Sequence, residues 1–163
     1  MHGSALSGFF PDARRPAVVA LGSNLGDRAG TLEAALAELE ARGNEIFARS
    51  SFCETKPVGY LDQPDFLNGV ALVGVPAETS AEDFLRALLD VEKKFGRERS
   101  FPNAPRTLDL DLIFFGAETR ATPFLTLPHP RWRERAFVTE PLEEMFRALG
   151  PRLPACFRGK LPL

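Results

Sequence analysis

Pro105-Arg106-Thr107-Leu108-Asp109-Leu110-Asp111-Leu112-Ile113-Phe114-Phe115-Gly116 is the stretch on which the reading of this chain turns. It reads as a buried strand carrying two carboxylates. Side chains alternate between the faces of a strand, so Leu108, Leu110, Leu112 and Phe114 are expected to enter a core, while Asp109 and Asp111 share the opposite face roughly 7 Å apart. Two like charges so placed repel each other unless a cation neutralises them, and carboxylate oxygens are what Mg²⁺ takes, usually alongside waters and substrate phosphates. Arg106, just before the pair, suits a phosphate oxygen. An amphipathic strand with one wet face would also account for Asp-Leu-Asp. Ile113 and Phe115 continue the acidic face beyond Asp111, however, so that face is not simply solvated, and the pair is a candidate metal site.

Outward from this strand, the chain reads as strands and helices in alternation. On its N-terminal side lies the polar run Gly96 to Ala104, a loop whose arginines are placed to move. Before that, Ser80 is a helix cap with Asp83 at the capping-box position, followed by an apolar stripe of Phe84, Leu85, Leu88, Val91 and Phe95. Phe66 to Val75 is a strand with Phe66, Asn68, Val70 and Leu72 on one face. Asn68 is the odd residue there: it is either a satisfied structural amide or a reader of a heterocycle's edge. Thr55 to Pro64 is a long loop of the kind that is often functional, and Asn44 to Glu54 alternates as a further strand.

Leu32, Leu36 and Leu39 mark a helix from about Arg28 to Arg42, stopped by Gly43, and Ala17 to Leu21 is a short buried strand. The turn between them, Gly22 to Asp27, either cradles a phosphate or simply turns the chain with Asp27 as helix cap. Residues Met1 to Arg15 are expected to form a flexible N-terminal extension outside a single domain running from 16 to 163. Beyond Gly116 the chain looks irregular. Leu127 to Phe137 then sets His129 among three arginines, which reads as an anion site or as a solvated helix face. A short helix over Leu142 to Leu149 and a proline-punctuated tail complete the chain.

The order strand, helix, strand, strand, helix, strand implies an α+β sandwich of ferredoxin-like type, βαββαβ, with a mostly antiparallel sheet and its helices packed on one face. Its 163 residues, 44% of them hydrophobic and 26% charged, suffice for a core without disulfides or structural metal. A formal charge of −2 lacks the basic surface that a polyanion partner favours, so no nucleic-acid partner is expected and any phosphate site must be local. Two widely spaced cysteines, no apolar run of membrane length and no signal-peptide pattern make a cytoplasmic protein without a membrane partner the expectation. A monomer is expected, with a homodimer as the alternative.

Four segments, in order, carry a more specific signal. They are Ala20 to Asp27 (ALGSNLGD), Glu54 to Gly59 (ETKPVG) with Asp62 to Asn68 (DQPDFLN), Pro105 to Asp111 (PRTLDLD), and Leu127 to Arg131 (LPHPR) with Glu134 to Val138 (ERAFV). Together they closely resemble the 6-hydroxymethyl-7,8-dihydropterin pyrophosphokinase family of folate biosynthesis, over about Val18 to Leu142. The resemblance implies transfer of the β,γ-pyrophosphoryl group of ATP, the co-substrate, to the pterin hydroxymethyl group with release of AMP, assisted by two Mg²⁺ ions. It assigns both metals to Asp109 and Asp111, and catalysis to these with Arg97 and Arg106. It implies ATP contacts from Arg97, Arg106, Leu112, His129 and Arg135. The implied pterin contacts are Thr55, Pro57, Val58, Gly59, Phe66, Asn68 and Phe137, with Phe66 and Phe137 sandwiching the ring.

Two departures stand out. Phe101 and Asn103 occupy the loop that carries a tryptophan in the best-known members, and Pro130 follows the histidine where tyrosine is common. A ferredoxin-like module binding RNA or a small ligand without catalysis is the competing reading, because that fold hosts many functions. The acidic pair counts against RNA, since without metal it repels phosphates.

Overall fold

The structure is a computed structural model that describes residues 8–96 and 107–162. In chain order its elements are β1 (Arg14–Ser23), α1 (Arg28–Ala41), β2 (Glu45–Arg49), β3 (Cys53–Thr55) and β4 (Phe66–Pro76). Then come α2 (Ala81–Lys94), β5 (Asp109–Phe115), the hairpin strands β6 (Arg120–Ala121) and β7 (Thr126–Leu127), and α3 (Ala136–Leu149).

Every strand pairing found is antiparallel, and the main sheet runs β2-β4-β1-β5 with β3 also on β4. β1 lies inside this sheet, pairing with β4 over all ten of its residues and with β5 on its other side. β5, the acid-bearing strand, is therefore an edge.

The helices form where caps and apolar spacing coincide. Asp27 accepts a hydrogen bond from the Gly30 N–H at 3.0 Å to start α1, and Ser80 Oγ accepts one from Asp83 N–H at 3.1 Å to start α2. Such caps are worth about 1 kcal/mol each. Gly43, at φ +96°, ends the first helix in a conformation that side chains with a Cβ resist. Leu32, Leu36 and Leu39 of α1, with Phe84, Leu88 and Val91 of α2, then bury against the sheet face formed by Ala17, Val19, Leu21, Ala71, Val73 and Leu110.

The α+β class, the antiparallel sheet and the packing of the two βαββαβ helices on one face match expectation, and a third helix adds a layer. α3 lies on the other face, where Val138, Leu142, Met145 and Phe146 pack on Val18, Ala20, Val70 and Leu72. That face was apolar in the sequence as well. With residues of both faces buried, the sheet requires cover on both. Phe114 helps close this second layer, edge-on to Trp132 at 5.0 Å and 5.5 Å from Phe157, which stacks on Phe146.

Several expected boundaries move. β1 begins at Arg14 rather than after Arg15, with the Arg14 guanidinium donating to Gly43 O and Gly74 O, each at 2.9 Å. Phe10 packs edge-on against Phe47 at 5.1 Å, so part of the segment expected to lie outside the fold is in it. The expected 44–54 strand breaks into two at Ser50, whose Oγ and N–H both bond to the backbone of Val70. The stretch expected to be irregular contains the β6–β7 hairpin. α3 begins at Ala136, six residues before Leu142, with Pro141 inside the helix.

β5 carries the most consequential correction. Its register with β1 shifts between Val18 and Val19: Val19 faces Leu112, but Val18 faces Phe114, which leaves Ile113 as an extra residue. A bulge of this kind re-aims the residues that follow. Phe114 therefore joins the α3 face and Phe115 the opposite core, the reverse of strict alternation.

Candidate active site

Gly22, at the end of β1, stands opposite Asn68 of β4 on one side and Asp109 of β5 on the other. Cross-strand partners share a face, so these three residues form one row, with Cys53 of β3 beyond Asn68. The next row is Val70, Ala20 and Asp111. The amide and both carboxylates therefore lie on the face that α3 covers.

Gly22 keeps the row open. A Cβ there would stand 2.7 Å from Asn68 Oδ1 and 3.7 Å from the Phe66 ring. Asn68 is buried, its Nδ2 donating to Thr55 Oγ1, and Thr55 is itself the cross-strand partner of Phe66. Thr55, Phe66 and Asn68 thus come together. Phe137, in the first turn of α3, packs over the same layer.

The loop beside these residues is tied down by hydrogen bonds. Asn24, almost wholly buried, donates to Gln63 Oε1 at 2.7 Å and to Pro64 O at 3.1 Å, and Arg28 donates to Glu54 Oε1 and Asp65 O. Of the two readings of the Gly22–Asp27 turn, the cap on α1 is what is seen. Pro57 is buried, whereas Val58 is 62% exposed and Gly59 turns the chain at φ +84°.

At the acidic pair, Arg135 Nη1 lies 3.9 Å from Asp111 Oδ2, and its guanidinium sits 5.6 Å from the Phe137 ring. His129 is held against the outer edge of β5, its N–H donating to Ile113 O at 2.9 Å, while its Nδ1 accepts from Arg131 N–H at 3.2 Å. Burial lowers the His129 pKa, the positive charges of Arg135 and Arg131 add to this, and Asp109 opposes it. At neutral pH the ring is therefore neutral, and with Nδ1 accepting, its hydrogen is on Nε2.

A cleft of about 380 Å³ runs along this edge, and Asp111, Leu112 and His129 line it. Glu92, Leu89 and Phe124 line it too, and sequence reasoning had not assigned them a role. Glu92 is only 3% exposed and accepts from Leu110 N–H at 2.7 Å. A glutamate four residues after Leu88, on the buried stripe of α2, was the available signal, because glutamate is almost never buried without partners. Arg97 and Arg106, with all but Gly96 of the Gly96–Ala104 loop, lie outside the described residues.

The donor set fits magnesium. Two carboxylates on one strand face supply hard oxygens and leave the remaining positions of an octahedral ion to waters and phosphates. No cluster of three or more His, Cys, Asp or Glu side chains occurs among the described residues, so an all-protein cage of another metal type is not seen there.

Fold and site together define a class: a ferredoxin-like α+β protein whose edge strand sets an acidic pair beside a cleft and on the same sheet face as a buried amide. Residues 18–147 match the family described as 7,8-dihydro-6-hydroxymethylpterin-pyrophosphokinase (HPPK). A 2-amino-4-hydroxy-6-hydroxymethyldihydropteridine pyrophosphokinase of Synechocystis sp. is 42% identical over 137 residues, covering 83% of this chain and 69% of that protein. One of Bacillus subtilis is 42% identical over 132 residues, covering 79% and 77%. A mitochondrial folate synthesis bifunctional protein of Pisum sativum is 38% identical over 128 residues, which is 78% of this chain but 24% of that longer protein. The chain belongs to the HPPK family of ATP-dependent diphosphotransferases of folate biosynthesis. The competing reading of a non-catalytic binding module gives way to this membership.

Proposed function

We propose that the cleft along β5 takes ATP and the pocket of Thr55, Phe66 and Asn68 takes 6-hydroxymethyl-7,8-dihydropterin, so that triphosphate and hydroxymethyl group meet above Asp109 and Asp111. The observation that supports this reading is the row Asn68, Gly22, Asp109, in which a buried amide shares one sheet face with the acidic pair. The pterin hydroxyl oxygen bonds to the β-phosphorus as the bond to the α,β-bridging oxygen breaks. AMP leaves with that oxygen, and the hydroxyl proton is released. Such transfers depend mainly on positioning and electrostatics.

Asp109 and Asp111 would hold two Mg²⁺ ions, which when bound neutralise phosphate charge and polarise the phosphorus–oxygen bonds. Arg135, already beside Asp111, offers its guanidinium to phosphate oxygens, a stronger partner than a carboxylate 3.9 Å away. Neutral His129 donates from Nε2 without adding a charge to be desolvated. Arg97 and Arg106 complete the phosphate contacts in this proposal. Phe66 and Phe137 clasp the pterin ring while Asn68 and Thr55 meet its edge, and Pro57, Val58 and Gly59 form the loop beside it.

A monomer acting in the cytoplasm belongs to the same proposal. In its support, Cys53 and Cys156 are both free thiols, as a reducing compartment keeps them. No helix among the described residues is long and apolar enough to cross a membrane.

The test is to mix the protein with MgATP and the reduced hydroxymethylpterin. AMP and pterin diphosphate should appear one to one, and chelation of Mg²⁺ should stop both. ADP in place of AMP would mean ordinary phosphoryl transfer and would overturn the mechanism.

A further inference from the structure

The joint between β2 and β3 is anchored from both faces of the sheet. Ser50 is buried and bonds to the backbone of Val70 through both its N–H and its Oγ. Phe52 packs on the α1 side, where a Cβ on Gly69 would meet its ring at 2.7 Å. Arg49 lies over that ring at 4.7 Å and donates to both carboxylate oxygens of Glu33 on α1, each at 2.7 Å. Between these two residues, Ser51 is taken by α3. Its N–H donates to Glu144 Oε2 at 3.0 Å, and its Oγ donates to Glu144 Oε1 at 2.7 Å.

Glu143, one residue earlier, makes the ordinary contact of a helix surface, an exposed i,i+4 pair with Arg147 at 2.9 Å. Glu144 instead reaches a different element and accepts with both oxygens, and a bidentate contact fixes direction as well as distance. It follows Phe137 by seven residues, about two helical turns, so the two side chains leave α3 on the same side. On the sheet side, Ser51 lies just before β3, which sets Cys53 opposite Asn68 and Thr55 opposite Phe66. The contact therefore joins the two elements that carry opposite halves of the proposed pterin pocket. We infer that Glu144 is a positioning residue for the pterin: through Ser51 it holds Phe137 of α3 in register with Thr55, Phe66 and Asn68. This rests on the assignment of the pterin to that pocket made above.

Calorimetry on the full chain tests this in two titrations. One reads the nucleotide analogue, α,β-methylene ATP with Mg²⁺, and the other reads 6-hydroxymethyl-7,8-dihydropterin on protein saturated with that analogue. Glu144→Ala should weaken the pterin about fivefold, the worth of roughly one hydrogen bond, and leave the analogue within about twofold. Glu144→Gln keeps an acceptor oxygen for the Ser51 N–H and should recover most of the affinity, whereas Glu143→Ala, which cuts only the pair with Arg147, should change neither ligand. In turnover, the KM of Glu144→Ala for the pterin should rise by a larger factor than kcat falls. Equal losses for both ligands would show that the contact only supports the fold, and an unchanged pterin affinity, at whatever melting temperature, would show that it positions nothing; either result overturns the positioning role alone. Wild-type protein that binds no pterin, or a Phe137→Ala variant that binds it as tightly as wild type, would overturn the pocket reading and the positioning role with it.

Discussion

At Gly22 the requirement is space, not torsion. A methyl group there would press on Asn68 Oδ1 at 2.7 Å, a contact that ordinary Cβ atoms do not tolerate. Gly22→Ala should therefore displace the amide and weaken pterin binding at least tenfold in calorimetry, while affinity for the nucleotide analogue, bound beyond the carboxylates, changes less than twofold. His129 makes a second prediction at this scale. Its folded pKa lies below the value of about 6.5 it has in an unfolded chain. Between the two values the unfolded chain binds a proton that the folded one does not, so stability climbs with pH across that window. The contribution is fully present above about 6.5 and is lost as pH falls toward the folded pKa. With only two histidines in the chain, His129→Gln should visibly flatten the rise of melting temperature as pH climbs toward about 6.5. An unchanged slope would show that His129 does not titrate as its burial requires.

Among the elements, a buried carboxylate ties α2 to β5 in addition to their apolar packing. Glu92 takes the Leu110 N–H on the acid-bearing strand, and removing the acceptor leaves a buried donor unpaired at a cost of about 1–3 kcal/mol. Glu92→Leu should lower the denaturant midpoint accordingly, and Glu92→Gln, which keeps an acceptor oxygen, should recover part of the loss. Equal losses for both variants would place the effect in charge, not in the hydrogen bond. The elements also show which features could be read from residue order alone. The caps at Asp27 and Ser80, the apolar stripes and the same-face acidic pair are local properties, and they were legible. The flip at Ile113 was not, since a bulge depends on how β5 pairs with β1, and neither strand announces it alone. The extra turns of α3 were hidden by Pro141. The cleft wall was hidden because Leu85, Leu89 and Phe124 come from two segments that read as a helix face and an irregular stretch, and only the closed sheet brings them to one edge.

For the molecule as a whole, ligand binding and folding are one equilibrium. A ligand present at a hundred times its dissociation constant stabilises the folded chain by about 2.7 kcal/mol. Thermal unfolding of the wild type should therefore shift upward with Mg²⁺ and the nucleotide analogue together. Asp109→Asn should lose most of that shift and reduce turnover by orders of magnitude. Asp111→Asn should behave similarly. Its ion pair with Arg135 is part-exposed and long, a type worth about 0–1 kcal/mol. A variant that keeps both the ligand shift and the turnover would remove that carboxylate from the metal site.

The position of the acidic strand at the sheet edge also has a meaning in time. β5 follows β1, β2, β3 and β4 in the chain and, among the described residues, pairs with β1 alone in the main sheet. A nascent chain can therefore zip β4 between β1 and β2 before either aspartate has left the ribosome. In such an order the strand that carries Asp109 and Asp111 would meet a template already standing.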